Sequence, residues 1–468
     1  MVSAEPTILS GLAATLGCSE PALKLLLSLV VGYPIAFFHR KTMYGKNANL
    51  QHFFFMLCGV AIGVYNYKFG VGHSIAAVVT TYVLLKVFGG TTAGVVICFL
   101  FNMGYLVIGY FYTGTETYDI KWSMPHCVLT LRLIGLAFDV YDGHRSPEAL
   151  SKDQKITAIN RVPSLLEIAG YTYFPASYMV GPQFPMTRYL GMINGTLKPK
   201  DQEKPACMVP GLLRGLGGFV YLGIYQIGNI YYKDDYLLTE AFAILPFWKR
   251  ALQMGVWGKI MMYKYISCWM ITEGVCISSG LTYNGEDENG KVRWNGCANV
   301  RLRVYEGAVK FGHLIDSFNT NTNNWVLQYI YKRLKFMNNR YISQGTTLLF
   351  LALWHGLHSG YYMCFMLEFI IMKVEKEVEL IFAARKDWTE AISKPGVWHV
   401  LWVVRKIYLI VFMGYCMVPF VLLKSHKWSV AFSAVYWMGH VFFLPWFFFG
   451  HLVVKALRPP RVKESKKE

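Results

Sequence analysis

A histidine and an asparagine have the chemistry to act together. His355 sits in Trp354-His355-Gly356-Leu357-His358, inside an apolar run from Thr346 to Met372. An ionisable side chain at membrane depth is expensive to bury, so it is a functional candidate by default. Histidine can also take a proton near neutral pH, as a general base must. A structural histidine, hydrogen-bonded to a neighbouring helix, is the competing reading and stays open. His358, three residues on, would share a helical face with His355, which raises a metal pair. Zinc sites want three or four ligands, and between Phe311 and Tyr362 the only Asp, Glu or Cys is Asp316. A metal site is therefore remote.

Asn319 lies 36 positions before His355, in an Asn-dense patch with Asn321, Asn323 and Asn324. Its carboxamide is uncharged and offers both a donor and an acceptor. It can orient a hydroxyl or carbonyl, or support an oxyanion, without adding a charge to desolvate. A polar loop or helix cap is the plainer alternative. Lys332, Arg333, Lys335 and Arg340 form a basic cluster downstream, readable as an anchor facing the cytosol or as a landing site for phosphates. Trp325, Tyr329 and Lys332 fall at helical i, i+4, i+7 spacing, where an aromatic could stack on a base. Trp354 supplies a bulky apolar flank to His355, and Gly356 leaves room for a substrate. No phosphate-binding glycine loop, serine-hydrolase elbow or HExxH appears in a fitting context.

The elements that must position these residues are membrane helices. Of 468 residues, 54% are hydrophobic and 16% charged, with a mean hydropathy of +0.32; soluble domains carry roughly 25% charged residues. The net charge of +18 sits mostly between apolar segments, where the positive-inside bias explains it. No nucleic-acid-binding module is present. Ten scattered cysteines form no CxxC pair, so neither a disulfide framework nor a zinc site is expected. The N-terminus lacks the basic start of a signal peptide.

Spans of about 20 apolar residues are expected at Ala22–Phe38, Phe53–Tyr67, Val71–Phe88 and Thr92–Tyr112. Cys127–Tyr141 carries Arg132 and Asp139, read as an ion pair or helix-end charges, or as the wall of a polar cavity. Leu165–Val180, rich in Gly, Tyr and Pro, reads as a broken helix facing an interior, since freed backbone must be satisfied by protein or a cavity. Leu212–Tyr232 and Val256–Leu281 follow, with Leu237–Trp248 too short to cross alone. Residues 283–341 form an amphipathic, cytosol-facing segment: between Lys291 and Arg340 there are nine Lys or Arg against two acids, Glu306 and Asp316. Thr346–Met372, Trp398–Leu423 and Trp428–Val454 close the chain. Asn194-Gly195-Thr196 is a glycosylation sequon, and the terminal Lys466-Lys467-Glu468 is a partial endoplasmic-reticulum retrieval signal. The fold class expected is an all-α polytopic membrane protein, one bundle of nine to eleven helices over residues 1–468.

FNTNTNNWVLQYIYKR and WHGLHSGYY resemble the two signature stretches of the membrane-bound O-acyltransferase family, in its lysophospholipid-acylating branch. RLIGLAFDVYDG and PSLLEIAGYTYFPASYMVGPQF resemble the same branch, and the likeness covers residues 120–450. The FYxDWWN-type box of the family's sterol and diacylglycerol enzymes is absent: Phe111-Tyr112-Thr113-Gly114 does not continue into one. The resemblance implies about eleven helices around a substrate tunnel. Acyl-CoA enters from the cytosol as co-substrate with no cofactor, and a lysophospholipid arrives from the bilayer. His355 matches the family's catalytic histidine and Asn319 its partner. The implied acceptor is the free sn-2 hydroxyl of lysophosphatidylcholine, and of the ethanolamine and serine analogues. The implied acyl chains are polyunsaturated, such as arachidonoyl or linoleoyl, and the implied site is the endoplasmic reticulum membrane. By position, Trp325, Tyr329, Lys332, Arg333, Trp354 and His358 are candidate substrate contacts. Oligomeric state, a homodimer included, stays open. A transporter or scramblase, or a protein-acylating member of the family, are the alternatives; the missing internal repeat counts against the first.

Overall fold

A computed structural model of the chain describes residues 7–115 and 120–457. The terminal lysine signal lies outside them. The architecture is all-α, with no strand among the described residues and two isolated bridges, Glu286 to Val292 and Val300 to Phe318. Seven helical stretches among the described residues are long and apolar enough to cross a membrane: Glu20–Thr42, Ala48–Phe88, Thr92–Thr113, Ser123–Gly143, Met208–Leu238, Pro395–Leu422 and Met438–Leu457. The Phe247–Ser278 and Ser359–Ala384 helices, of 32 and 26 residues, carry several charges and are also long enough to cross.

Helix starts follow local capping chemistry. Asn47 Oδ1 accepts from the Asn49 N–H, and Thr91 Oγ1 from the Gly94 N–H. Ser164 and Glu167 form a reciprocal capping box, satisfying donors that a helix start leaves free. Interior helices approach closely through small residues, as membrane packing favours. A Cβ built on Gly258 would lie 2.4 Å from Gly414 Cα, so the Phe247–Ser278 and Pro395–Leu422 helices touch backbone to backbone there.

Two large clusters dominate the core, with two smaller ones beside them. One large cluster gathers around Leu133, Phe174 and Tyr189; the other gathers around Trp257, Ile371 and Tyr415. Three sequence expectations change. First, Arg132 and Asp139 do not pair with each other. Arg132 donates to four backbone carbonyls, of Tyr171 and Thr172 (both 3.2 Å), Ser177 (3.0 Å) and Pro182 (3.1 Å). The helix starting at Leu165 stops at Thr172, and the guanidinium meets the carbonyls that the break sets free. Asp139 instead accepts from the Tyr329 hydroxyl at 2.7 Å. Second, Trp428–Val454 is not one span. It breaks between Ser425–Ala434 and Met438–Leu457, with Tyr436 and Trp437 at φ 53° and 51°.

Third, the run Thr346–Met372 is two helices, Arg340–His355 and Ser359–Ala384. The break is Gly356, at φ 147°, a region open to glycine and strained for other residues. His355 and His358 therefore do not share a helical face: the first ends one helix and the second caps the next.

Candidate active site

His355 occupies the last position of its helix. Asn339 starts that helix, its Oδ1 accepting from the Tyr341 and Ile342 N–H groups. The turn before the histidine is pinned from two sides. Trp354 Nε1–H donates to the Cys127 carbonyl, and the Trp354 carbonyl accepts from the Tyr110 hydroxyl, both at 2.8 Å. The imidazole lies among four aromatic rings. Their centroids are 4.6 Å (Trp354), 5.1 Å (Phe420), 5.4 Å (Phe365) and 5.5 Å (Tyr361) away. Neither ring nitrogen hydrogen-bonds within the described residues.

The ring is instead partly exposed to internal space. His355 lines a cavity of about 1080 Å³ together with Asn319, Trp354, Phe318, Phe365 and Phe420. It also lines a smaller one of about 350 Å³ with His358, Thr113 and Lys424. Lys121, Met124 and Cys127 border both cavities. His355 is thus where two compartments meet. The large cavity takes its walls from both large core clusters, and the broken segment Met179–Gln183 contributes to it. The expectation that this break faces an interior is met.

Asn319 heads the Thr320–Tyr329 helix at φ 51°, ψ 40°, a left-handed conformation that Asn tolerates better than most residues. Its Oδ1 accepts from Asn299 Nδ2–H at 3.3 Å. The carboxamide makes no other hydrogen bond among the described residues.

The remaining candidates separate. Trp325 is buried, its ring near-parallel to that of Phe350 at 5.8 Å. Tyr329 is bound to Asp139. Lys332 pairs with Asp153, and Arg333 Nη1 donates to Asp142 Oδ1 at 2.9 Å, with its guanidinium over the Phe138 ring. None of these four lines either cavity. They hold the 320–337 segment against the Ser123–Gly143 helix and the loop after it. The structure thus joins His355, Asn319 and Trp354 on one cavity, adds His358 on the second, and leaves the basic cluster on another face.

Sequence reasoning passed over Asn299 and Glu273. Asn299 sits among many polar residues of a hydrophilic stretch, and nothing marked it. Glu273 had a signal, being the only acid in the run Val256–Leu281.

The arrangement sets an imidazole and a carboxamide on the lining of one long, mostly apolar chamber, the imidazole among aromatic rings. Residues 107–414 match the model of the membrane-bound O-acyltransferase family. The chain is 44% identical to mouse lysophospholipid acyltransferase 5, covering 99% of this chain and 95% of the mouse protein. It is 42% identical to the Drosophila protein of that name, over 95% and 90%. A fission yeast lysophospholipid acyltransferase is 27% identical, over 92% and 86%.

Proposed function

The chain belongs to the membrane-bound O-acyltransferase family, and we propose that it moves the acyl group of acyl-CoA to the free sn-2 hydroxyl of a lysophospholipid in the endoplasmic reticulum membrane. The observation that carries this reading is the shared cavity. An unpartnered imidazole and a carboxamide line one chamber of about 1080 Å³, above the roughly 300–1,000 Å³ of a single small-ligand pocket. An apolar chamber of that size suits two acyl chains together. His355 removes the hydroxyl proton as that oxygen attacks the thioester carbonyl carbon. Asn319 meets the oxygen that gains charge. The carbon–sulfur bond then breaks and the proton passes from the imidazolium to the thiolate of CoA. Aromatic walls keep water from the thioester, which suppresses simple hydrolysis. Lysophosphatidylcholine, with its ethanolamine and serine analogues, is the acceptor class, and polyunsaturated chains are the donors.

Ser359 is not a candidate nucleophile, because its hydroxyl already donates to the Leu423 carbonyl and accepts from Trp428 Nε1–H. Cys364 lines the chamber, and an acyl adduct trapped on it would replace the direct-transfer mechanism. The deciding experiment measures CoA release by purified protein with linoleoyl-CoA and lysophosphatidylcholine. Release should require both substrates, which a transporter would not show. A positioned base is worth about 10²–10⁴-fold, so His355→Ala should fall by that factor while staying monodisperse. Turnover at the wild-type rate would remove His355 from its role.

A further inference from the structure

An asparagine facing a reaction point can present either its NH2 or its oxygen, and the two do different work. The NH2 stabilises an oxyanion; the oxygen can only receive a hydrogen bond from the attacking hydroxyl. We propose that Asn299 is a positioning residue that turns the Asn319 carboxamide so that its NH2 is the group left for the cavity. This rests on the acyl-transfer reading above.

Asn299 is 2% exposed and borders the same cavity. Its own carboxamide has one sense only. Asn299 Oδ1 accepts from the Asn321 backbone N–H at 3.1 Å, which leaves its Nδ2–H to meet Asn319 at 3.3 Å. An N–H cannot accept, so the Asn319 atom facing it is oxygen, and the Asn319 NH2 stands free of it.

The backbone of Asn299 is held as firmly as its side chain. Its N–H donates to Glu273 Oε2 (3.4 Å), and its carbonyl accepts from the Thr320 N–H (3.1 Å). Glu273 is 3% exposed and takes a second hydrogen bond from Arg214 Nη2 at 2.9 Å; that nitrogen also donates to the Val300 carbonyl at 2.7 Å. Flanking contacts lock the two segments in register. Thr320 Oγ1 donates to the Ala298 carbonyl (2.6 Å) and Asn321 Nδ2 to the Cys297 carbonyl (2.9 Å). The bridge between Val300 and Phe318 closes the ladder. The left-handed backbone of Asn319 costs free energy and persists where surroundings over-determine it; this network supplies that constraint. The Arg214–Glu273 pair, with its carboxylate buried and so expensive by itself, acquires a purpose as the base on which the asparagine relay stands.

The test compares kcat and KM for Asn299→Ala, Asn299→Asp, Asn319→Ala and the Asn299→Ala/Asn319→Ala double variant, with linoleoyl-CoA and lysophosphatidylcholine. Rates are referred to acyl-CoA bound at saturation, so that a misfolded fraction does not register as lost kcat. Loss of one oxyanion donor costs about 10²–10³ in kcat, and Asn319→Ala should show it. Asn299→Ala should lower kcat at least tenfold with both KM values within twofold, and should add nothing in the Asn319→Ala background. Asn299→Asp is the same size but presents oxygen where Asn319 needs a donor. Asn319 then turns its NH2 towards the carboxylate, and kcat should fall as far as in Asn319→Ala. Additive losses in the double variant, a change confined to KM, or wild-type kcat in Asn299→Asp would each overturn the proposal. A wild-type protein that acylates no lysophospholipid would overturn the broader reading instead.

Discussion

Replacing Arg132 by methionine keeps an unbranched, largely apolar side chain and removes every donor. In the native protein the guanidinium Nη atoms serve four carbonyls at 3.0–3.2 Å, and its carbon lies 4.8 Å from the Phe184 ring centroid. The Ser177 carbonyl keeps the Gly181 N–H at 3.1 Å; stranding a buried acceptor costs about 1–3 kcal/mol, so the other three cost at least about 3 kcal/mol. The lost cation–π contact adds about 0.5–2 kcal/mol. Against this, methionine relieves the burial of a charge, a penalty of several kcal/mol per ion. The carbonyls decide the sign. Those of Tyr171, Thr172 and Pro182 lie at or beyond the end of the Leu165–Thr172 helix, where no further turn takes them up. We expect a net destabilisation of a few kcal/mol, hence more than a tenfold fall in the folded-to-unfolded ratio at about 1.4 kcal/mol per decade. Thermal unfolding in detergent, followed through the 13 tryptophans, reads the midpoint, and gel filtration reads monodispersity. Arg132→Lys, which keeps the charge but loses the planar fork, should fall between the two. A methionine variant melting at or above the wild-type midpoint would mean that the charge is a net burden and that the carbonyls find other donors.

Two further perturbations follow from the site's supports. Gly356→Ala places a Cβ at φ 147° and 2.9 Å from Tyr361 Cε2. Strain of about 1–3 kcal/mol there should swing His355 out of its aromatic setting, so kcat should drop more than tenfold with expression retained; unchanged kcat would mean that the break does not set the histidine's position. Arg333→Ala leaves Asp142, whose side chain is fully buried, without its cation and should cost about 3–5 kcal/mol. Lys332→Ala opens only a solvent-exposed pair with Asp153 and should cost about 0–1 kcal/mol. Because both cations are already held by acids, KM for acyl-CoA should stay within twofold in Lys332→Ala, and a tenfold rise would return that lysine to phosphate binding.

The apolar spans were legible because their cause is a one-dimensional average. The run Thr92–Tyr112 became the Thr92–Thr113 helix, since hydropathy and the Thr91 cap point the same way. Hydropathy reads straight through Gly356 and through Tyr436–Trp437, because a backbone dihedral leaves no trace in an average. His355 and Asn319 were legible as polar residues in unusual company. Partner choice was not. The pairing suggested for Arg132 and Asp139 assumed that opposite charges on one helix find each other, whereas a broken helix nearby offered four better acceptors. Glu273 and Arg214 carried the same intramembrane signal as His355 and were passed over because neither lies near a motif. Asn299 was invisible in principle: its role comes from a ladder between residues 297–300 and 318–321, closed only by the fold.

The helix end also bears on the proposed role of His355 as a base, with no carboxylate hydrogen-bonded to its ring among the described residues. A base must carry positive charge during proton transfer, and an aromatic, water-poor setting opposes that. Two features of this site work in the other direction. His355 is the last residue of the Arg340–His355 helix, where the negative end of the macrodipole stabilises a cation by about 0.3–1 kcal/mol. The Tyr361 and Phe365 rings lie 5.5 and 5.4 Å away, and their faces attract a cation by about 0.5–2 kcal/mol where water is scarce. The same groups that exclude water from the thioester therefore offset part of the cost of an imidazolium beside it. Moving the histidine one turn back along its helix would keep the residue and its burial, yet forfeit the dipole end and the aromatic faces together. Gly356, by stopping the helix at this residue, sets the electrostatics of the imidazole as well as its position.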